Sequence, residues 1–356
     1  MADPTVLWVC PVSNLAGVAR HILDTARVGI PGWRLMVTAP EGPLLEGLRA
    51  LDVTVIPLPI DSTRRAVVAL RHTLKQLRPA IAHSHLAKAD ILLAAAAFGL
   101  PVTLVTTEHH IPPDRYMFHP SRVGAATMEN IHRARLTRFT AAIAVSESTK
   151  RDMMQRWHPR LPVVVKLNGV DRPQSWPTRA AGLRMLSLSR LDVEKNVEMS
   201  LHAFARLLPD HPEATFTIAG TGSDGDRLRA RARSLGIDHR ARFVGFVDAA
   251  RAMAEHDVLL QPSRSDNFSY ALLDAVAQGM GVAASPVGGN PEILPERCIA
   301  PFEDVDRLAA IAVTQGLEVG QRPTLSASIP NTREMVAGIA AVYADTGWQN
   351  RRGNQS

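Results

Sequence analysis

Cysteine is nearly missing from this chain. Only Cys10 and Cys298 occur, too few and too far apart for a disulfide framework, so a reduced, cytoplasmic setting fits best. Aromatic residues are sparse as well, with three Tyr and nine Phe and no basic–aromatic pattern suited to base stacking, which argues against nucleic acid as a partner. No uninterrupted apolar run reaches the roughly 18 residues a membrane-spanning helix needs. The start, Met1-Ala-Asp-Pro-Thr-Val-Leu-Trp-Val9, has no basic segment followed by an apolar one and a cleavage site, so no secretory signal is expected. Lysine is confined to positions 75, 88, 150, 166 and 195, and arginine supplies most of the net charge of +6.

What is present describes a soluble globular protein, 46% hydrophobic and 21% charged, and 356 residues favour two domains over one core. The basic excess has two readings, a solvated surface or attraction to an anionic membrane face. Two stretches could serve the second: Arg64 through Arg78, and Arg227 through Arg233. The first alternates with Val67, Val68, Leu70, Leu74 and Leu77 at helical spacing, which favours packing on a core.

Short apolar runs alternate with helical segments. Strands are expected near 6–11, 34–38, 53–57, 81–83, 102–106, 141–145 and 163–166, then near 185–189, 215–219, 242–244 and 258–260. Helices are expected near 18–26, 197–208, 226–235, 269–278 and 332–345. Such alternation implies parallel sheets covered on both faces, with ligands at the carboxyl ends of the strands. The turn-rich stretch Asn168-Gly-Val-Asp-Arg-Pro-Gln-Ser-Trp-Pro177 breaks the pattern and reads as a linker. The expected architecture is two Rossmann-like halves with a cleft between them, and 316–328, the least patterned stretch, is expected to be mobile.

The richest stretch is Asp266-Asn-Phe-Ser-Tyr-Ala-Leu-Leu-Asp274, after the apolar run ending in Gln261-Pro-Ser263. Asp266 falls in the loop before a helix and Asp274 on its second turn. Backbone N–H groups at the helix start, those of Tyr270 and Ala271, favour an anion such as a diphosphate. Acids on either side can accept hydrogen bonds from hydroxyls. Hydroxyls, phosphates and more hydroxyls describe a sugar nucleotide.

This segment resembles the signature of the retaining glycosyltransferases of family four, which carry two glutamates where this chain has Asp266 and Asp274. Val287-Gly-Gly-Asn-Pro-Glu292 is similar to the family's Gly-Gly-x-Pro-Glu turn, and the resemblance runs over nearly the whole chain. It implies the GT-B fold, an α/β architecture of two Rossmann-like domains facing each other across a cleft. The acceptor-side domain would span 1–172, the nucleotide-sugar domain 173–330, and a final helix within about 331–356 would pack back on the first. It further implies that Arg190 and Lys195, in Leu188-Ser-Arg-Leu-Asp-Val-Glu-Lys195, hold the donor diphosphate. A planar fork and a compact cation suit that group. The bland reading is two solvated charges, one paired with Asp192 or Glu194.

By the same resemblance Asp266 contacts the transferred sugar and Asp274 the ribose, with Phe268 and Ser269 also in the donor-binding segment. Aspartate reaches roughly 1.3 Å less far than glutamate, so either the backbone lies closer or a water bridges. Capping and surface roles are the bland readings of the two acids. Backbone groups around Val247, in Phe243-Val-Gly-Phe-Val247, would read the base, and the turn Gly220-Thr-Gly222 would be structural. Gln278-Gly-Met-Gly-Val282 departs from the family's usual Cys-Gly-x-Pro-Val, read as a packing difference. Gly17 would let phosphate or sugar approach the first helix, though the family's usual Gly-Gly is here Ala16-Gly17. His109 would orient the sugar, and the acceptor would enter near Gly17, His109, Tyr116 and Phe118.

His83 and His85 point to one face of a strand and with His109 or His110 could form a zinc site. No acidic or cysteine ligand accompanies them at characteristic spacing, so no metal is assigned. The implied activity is retaining transfer in glycan biosynthesis, with no cofactor, from a nucleotide sugar to an unknown acceptor. It would act in the cytoplasm or at the inner face of a membrane. The alternatives are a sugar-nucleotide epimerase on the same fold and a non-catalytic sugar-nucleotide-binding protein.

Overall fold

The computed structural model describes residues 3–112, 121–173 and 179–348. The expected acceptor-loop residues Tyr116 and Phe118 lie outside them. The chain divides into one unit of residues 1–169 and 330–356 and a second of residues 170–329.

The first unit holds a seven-stranded parallel sheet built from β1 (Thr5–Val9), β2 (Arg34–Ala39), β3 (Thr54–Pro57), β4 (Ile81–His85), β5 (Thr103–Glu108), β6 (Ala141–Ala144) and β7 (Val163–Val165). The order is β3-β2-β1-β4-β5-β6-β7, a doubly wound topology in which the winding reverses between β1 and β4. β1 is buried throughout because helices cover both faces of the sheet, which is why it reads as an unbroken apolar run. Ala66, Leu70 and Leu74 turn the basic helix Thr63–Leu77 inward, while Val68, expected on that face, is exposed. Helix Thr332–Asp345 opens on a capping box: the Asn331 side chain accepts from the Glu334 N–H, and Glu334 accepts from the Asn331 N–H. Its Val336, Ile339 and Tyr343 complete the core over Trp8 and Ile22.

The second unit repeats the plan with β8 (Arg184–Leu188), β9 (Thr215–Ala219), β10 (Ala241–Gly245), β11 (Val258–Gln261) and β12 (Gly281–Ala284). The order is β10-β9-β8-β11-β12, so its switch point lies between β8 and β11. β12 and helix Val305–Leu317 were not expected from the sequence. The stretch 316–328 is not the loose segment anticipated there. Arg322, 6% exposed, donates to the carbonyls of Gln315, Gly316 and Ala180 and so ties it to the core.

Candidate functional site

At the switch point of the second unit, the chain leaving β8 meets the chain leaving β11. The loop after β8 is fixed against the turn after β9: Leu191 N–H donates to the Thr221 carbonyl at 2.9 Å, and Asp224 N–H to the Leu191 carbonyl at 2.8 Å. Gly220 permits this approach. It has φ 136°, and a Cβ there would lie 1.9 Å from the Ser189 carbonyl oxygen. On the other side, Arg264 N–H donates to the Glu194 carbonyl at 2.8 Å, and Asn196 Nδ2 to the Pro262 carbonyl at 3.0 Å.

These bonds bring Lys195 to Asp266, with Nζ 2.8 Å from Oδ2. The same Oδ2 accepts from Gln261 Nε2 at 3.0 Å and Ser263 Oγ at 3.4 Å, while Oδ1 accepts from the Asn267 N–H at 3.0 Å. Gln261 and Ser263 were not singled out in the sequence, where they read as the end of a strand. Arg190 is half exposed, and its fork is divided between Asp192 and Glu194, as the bland reading allowed. Asp192 is itself held by the N–H and Oγ of Ser223, each at 3.2 Å.

Helix Tyr270–Ala277 begins beside this group. Ser269 is its N-cap, accepting from the Leu272 N–H at 3.5 Å and from Gln261 Nε2 at 3.1 Å. The Phe268 and Tyr270 side chains are buried, so a ligand at this end meets the backbone of these residues rather than their rings. Ala271 is half-buried in the first turn, where helix N–H groups lack an intrahelical acceptor. Asp274 is half-buried one turn on, and Val247 is half-buried beyond β10. Gly288, at φ 54°, sits so close that a Cβ would lie 2.0 Å from the Asp266 carbonyl oxygen.

Gly17 and His109 belong to the first unit. Gly17 is exposed and opens helix Gly17–Val28. His109 follows β5 and is buried, with Nε2 2.9 Å from His85 Nδ1 at the end of β4. His21, from helix Gly17–Val28, completes a group of three imidazoles with ligand atoms within 4.8 Å of one another. Sequence reading missed it because it sits at a core-facing position of that helix. The nitrogens of His85 and His109 face each other in one hydrogen bond, and Nδ1 of His21 lies 3.3 Å from Asn168 Oδ1. Trp8 stacks on His21 and packs against His85. These contacts leave Nε2 of His85 buried without a hydrogen-bond partner.

Burial holds these imidazoles neutral. His21 is lowered to about 4, mainly by desolvation, with Asn168 and Asp24 opposing the shift. His83, His85 and His109 are lowered well below the ordinary value, first by burial and then by neighbouring imidazoles. The His83 tautomer is set by a chain of bonds. Trp8 Nε1 can only donate and does so to Tyr343 Oη at 2.7 Å, so the Tyr343 proton points to His83 Nδ1, at 2.5 Å. His83 then carries its hydrogen on Nε2, 2.8 Å from Thr107 Oγ1.

Just before His109, Glu108 accepts from buried Arg135 at 2.6 Å, and Arg135 also pairs with Asp90. Asp90 accepts from Ser84 Oγ at 2.6 Å and Thr106 Oγ1 at 2.9 Å. Burial pushes Glu108 up to about 8. Arg135 thus stands between two buried carboxyl groups, those of Asp90 and Glu108. In the basic stretch 227–233, Arg227 pairs with Glu198 and Asp224, Arg229 with Asp226, and Arg231 with Glu198. Among the described residues no helix is long and apolar enough to cross a membrane.

Comparison with known proteins gives a consistent picture. Residues 15–173 match the sequence profile described as Glycosyltransferase Family 4, and residues 182–315 that of Glycosyl transferases group 1. Glycogen synthase of Mycobacterium tuberculosis is 30% identical over 236 residues, 62% of this chain and 55% of that protein, so the match spans about half the relative's length. A phosphatidylinositol N-acetylglucosaminyltransferase component from Homo sapiens is 24% identical over 96% of this chain and 73% of its own. Among solved structures, Anabaena HepE in complex with UDP-glucose has a TM-score of 0.76 at 18% identity, covering 99% of each chain. Sucrose-phosphate synthase from Thermosynechococcus elongatus gives 0.70 at 17%, covering 98% of each. At these identities the structural likeness speaks to the fold, the α/β class of paired Rossmann-like units expected from the sequence.

Proposed function

The chain belongs to the family 4 glycosyltransferases of group 1, and from that premise we propose that it moves a sugar from a nucleoside-diphosphate donor to a hydroxyl acceptor with retention at the anomeric carbon. The observation that carries this reading is the switch point of the second unit. Lys195 pairs there with Asp266, on the loop before helix 270–277, and Arg190 lies on the same loop after β8 as Lys195, at the kind of strand end and helix start where such folds bind phosphate. We assign the Arg190 fork, now divided between Asp192 and Glu194, to the donor diphosphate, whose two phosphate groups match it in charge and geometry. Two cations and helix N–H groups then stabilise charge on the leaving nucleotide. They neutralise it without a metal ion, and no cofactor enters the proposal.

No side chain is assigned as a nucleophile. As the bond from C1 to the phosphate oxygen breaks, that oxygen takes the acceptor's hydroxyl proton, and the new C1–O bond forms on the same face. The half-buried Asp274 is assigned to the ribose hydroxyls, the backbone near Val247 to the base, and His109 to the sugar as a neutral imidazole. UDP-glucose and UDP-N-acetylglucosamine head the donors to test, because a fold neighbour binds the first and a relative is named for transferring N-acetylglucosamine. Two buried free thiols suit a cytoplasmic site of action.

Replacing Lys195 by alanine removes a charge-assisted contact of about 2–3 kcal/mol, roughly 30- to 150-fold in kcat/KM. Transfer at unchanged donor affinity in K195A would refute the assignment. An epimerase would convert donor without acceptor, which product analysis in acceptor-free solution reads directly. A pure sugar-nucleotide-binding protein would bind donor with no turnover across an acceptor panel.

A further inference from the structure

We propose that Asp266 is a positioning residue for Lys195. A carboxylate offers about four lone-pair sites. Here Lys195, Gln261 and Ser263 all donate to Oδ2, at 2.8, 3.0 and 3.4 Å, and the Asn267 N–H donates to Oδ1 at 3.0 Å, so the oxygen that holds the ammonium is fully occupied. The partners are also well placed to keep it. Ser263 is fully buried, and its carbonyl accepts from Ser285 Oγ at 2.5 Å; Gln261 is 6% exposed. Behind the loop, Gly289 N–H donates to the Asn267 carbonyl at 3.2 Å and Gly288 leaves no room for retreat. The shorter aspartate therefore closes the site inward: it fixes the ammonium of a flexible side chain, itself 19% exposed, at the mouth of the switch point. Lysine loses much rotamer freedom when ordered, and Asp266 has met that cost before any diphosphate arrives.

This inference rests on the proposed diphosphate site and is tested by a double-mutant cycle on nucleotide binding without sugar. UDP, GDP and ADP are titrated calorimetrically into the wild type, K195A, Asp266→Asn and the double variant, with melting curves to verify folding. The expected result is a loss of at least tenfold in K195A, a similar loss in D266N, and no further loss when D266N is added to K195A. A fold defect would instead persist in the K195A background, and that outcome overturns the proposal. So does D266N binding nucleotide as tightly as wild type, or more tightly, while turnover with a nucleotide sugar falls, the signature of a sugar contact. If D266N does not fold, Gln261→Ala carries the same comparison: weaker binding with Lys195 present, no change in K195A. Should K195A itself leave the binding of all three nucleotides unchanged, the diphosphate reading fails first, and this inference with it.

Discussion

Acidification should loosen the first unit before the second. The four buried imidazoles His21, His83, His85 and His109 all have depressed values, with His21 near 4. In the unfolded chain a histidine titrates near 6.5, so between about 6.5 and 4 the unfolded state binds a proton that the folded state refuses. Stability is therefore complete above the unfolded value and is lost as pH falls through that window. For His21 alone, going from pH 7 to pH 5 costs about 2 kcal/mol by this linkage. The other three shift the same way, while Glu108, raised to about 8, gains about 2 kcal/mol over the same range. The net loss is that of the four imidazoles less this opposing contribution, still a sizeable share of the roughly 5–15 kcal/mol that holds a typical domain. Four of the five tryptophans, Trp8, Trp33, Trp157 and Trp348, belong to the first unit, so fluorescence in urea at pH 7, 6 and 5 mainly follows that unit, and Trp176→Phe removes the contribution of the second. The midpoint should fall steeply below pH 6.5. In His21→Gln about 2 kcal/mol of the pH dependence should vanish, even though the variant starts less stable. A first-unit midpoint independent of pH between 7 and 5 would refute the reasoning.

Arg135→Met should destabilise the first unit by about 3–5 kcal/mol, since it leaves Asp90 buried without its cation; urea unfolding measures this. Tyr343→Phe strips Trp8 of its acceptor and His83 of its donor and should cost roughly 2–4 kcal/mol, read as a lower first-unit midpoint. Gly288→Ala forces the Asp266 loop away, because its Cβ would meet the Asp266 carbonyl; KM for donor should rise about tenfold or more in steady-state assays.

The strands of both sheets were legible because burial on two faces leaves unbroken apolar runs with turn formers after them. β12 was not, since Gly281-Val-Ala-Ala284 is small and opens on glycine. That glycine answers to packing invisible in sequence: a Cβ there would lie 2.6 Å from the Gln315 carbonyl oxygen. Helix Val305–Leu317 was missed although Asp304 caps it through the Arg307 N–H, because its buried face is partly alanine and weakly periodic. In the candidate site, Lys195 and Asp266 could be read from their positions after strands. Their mutual pairing could not, because 71 residues separate them and only the parallel pairing of β8 with β11 brings them together. Gln261, Ser263 and His21 carry no local signal, since polar residues at strand ends and single histidines on helices are common.

Because helix Thr332–Asp345 closes the core over Trp8, the first unit is made of two stretches interrupted by the whole of the second. On the ribosome, residues 170–329 emerge and can fold while their predecessor still lacks a wall. The part synthesised first is thus finished last, and until some 345 residues have been translated its β1 face is a sticky surface for chaperones to guard.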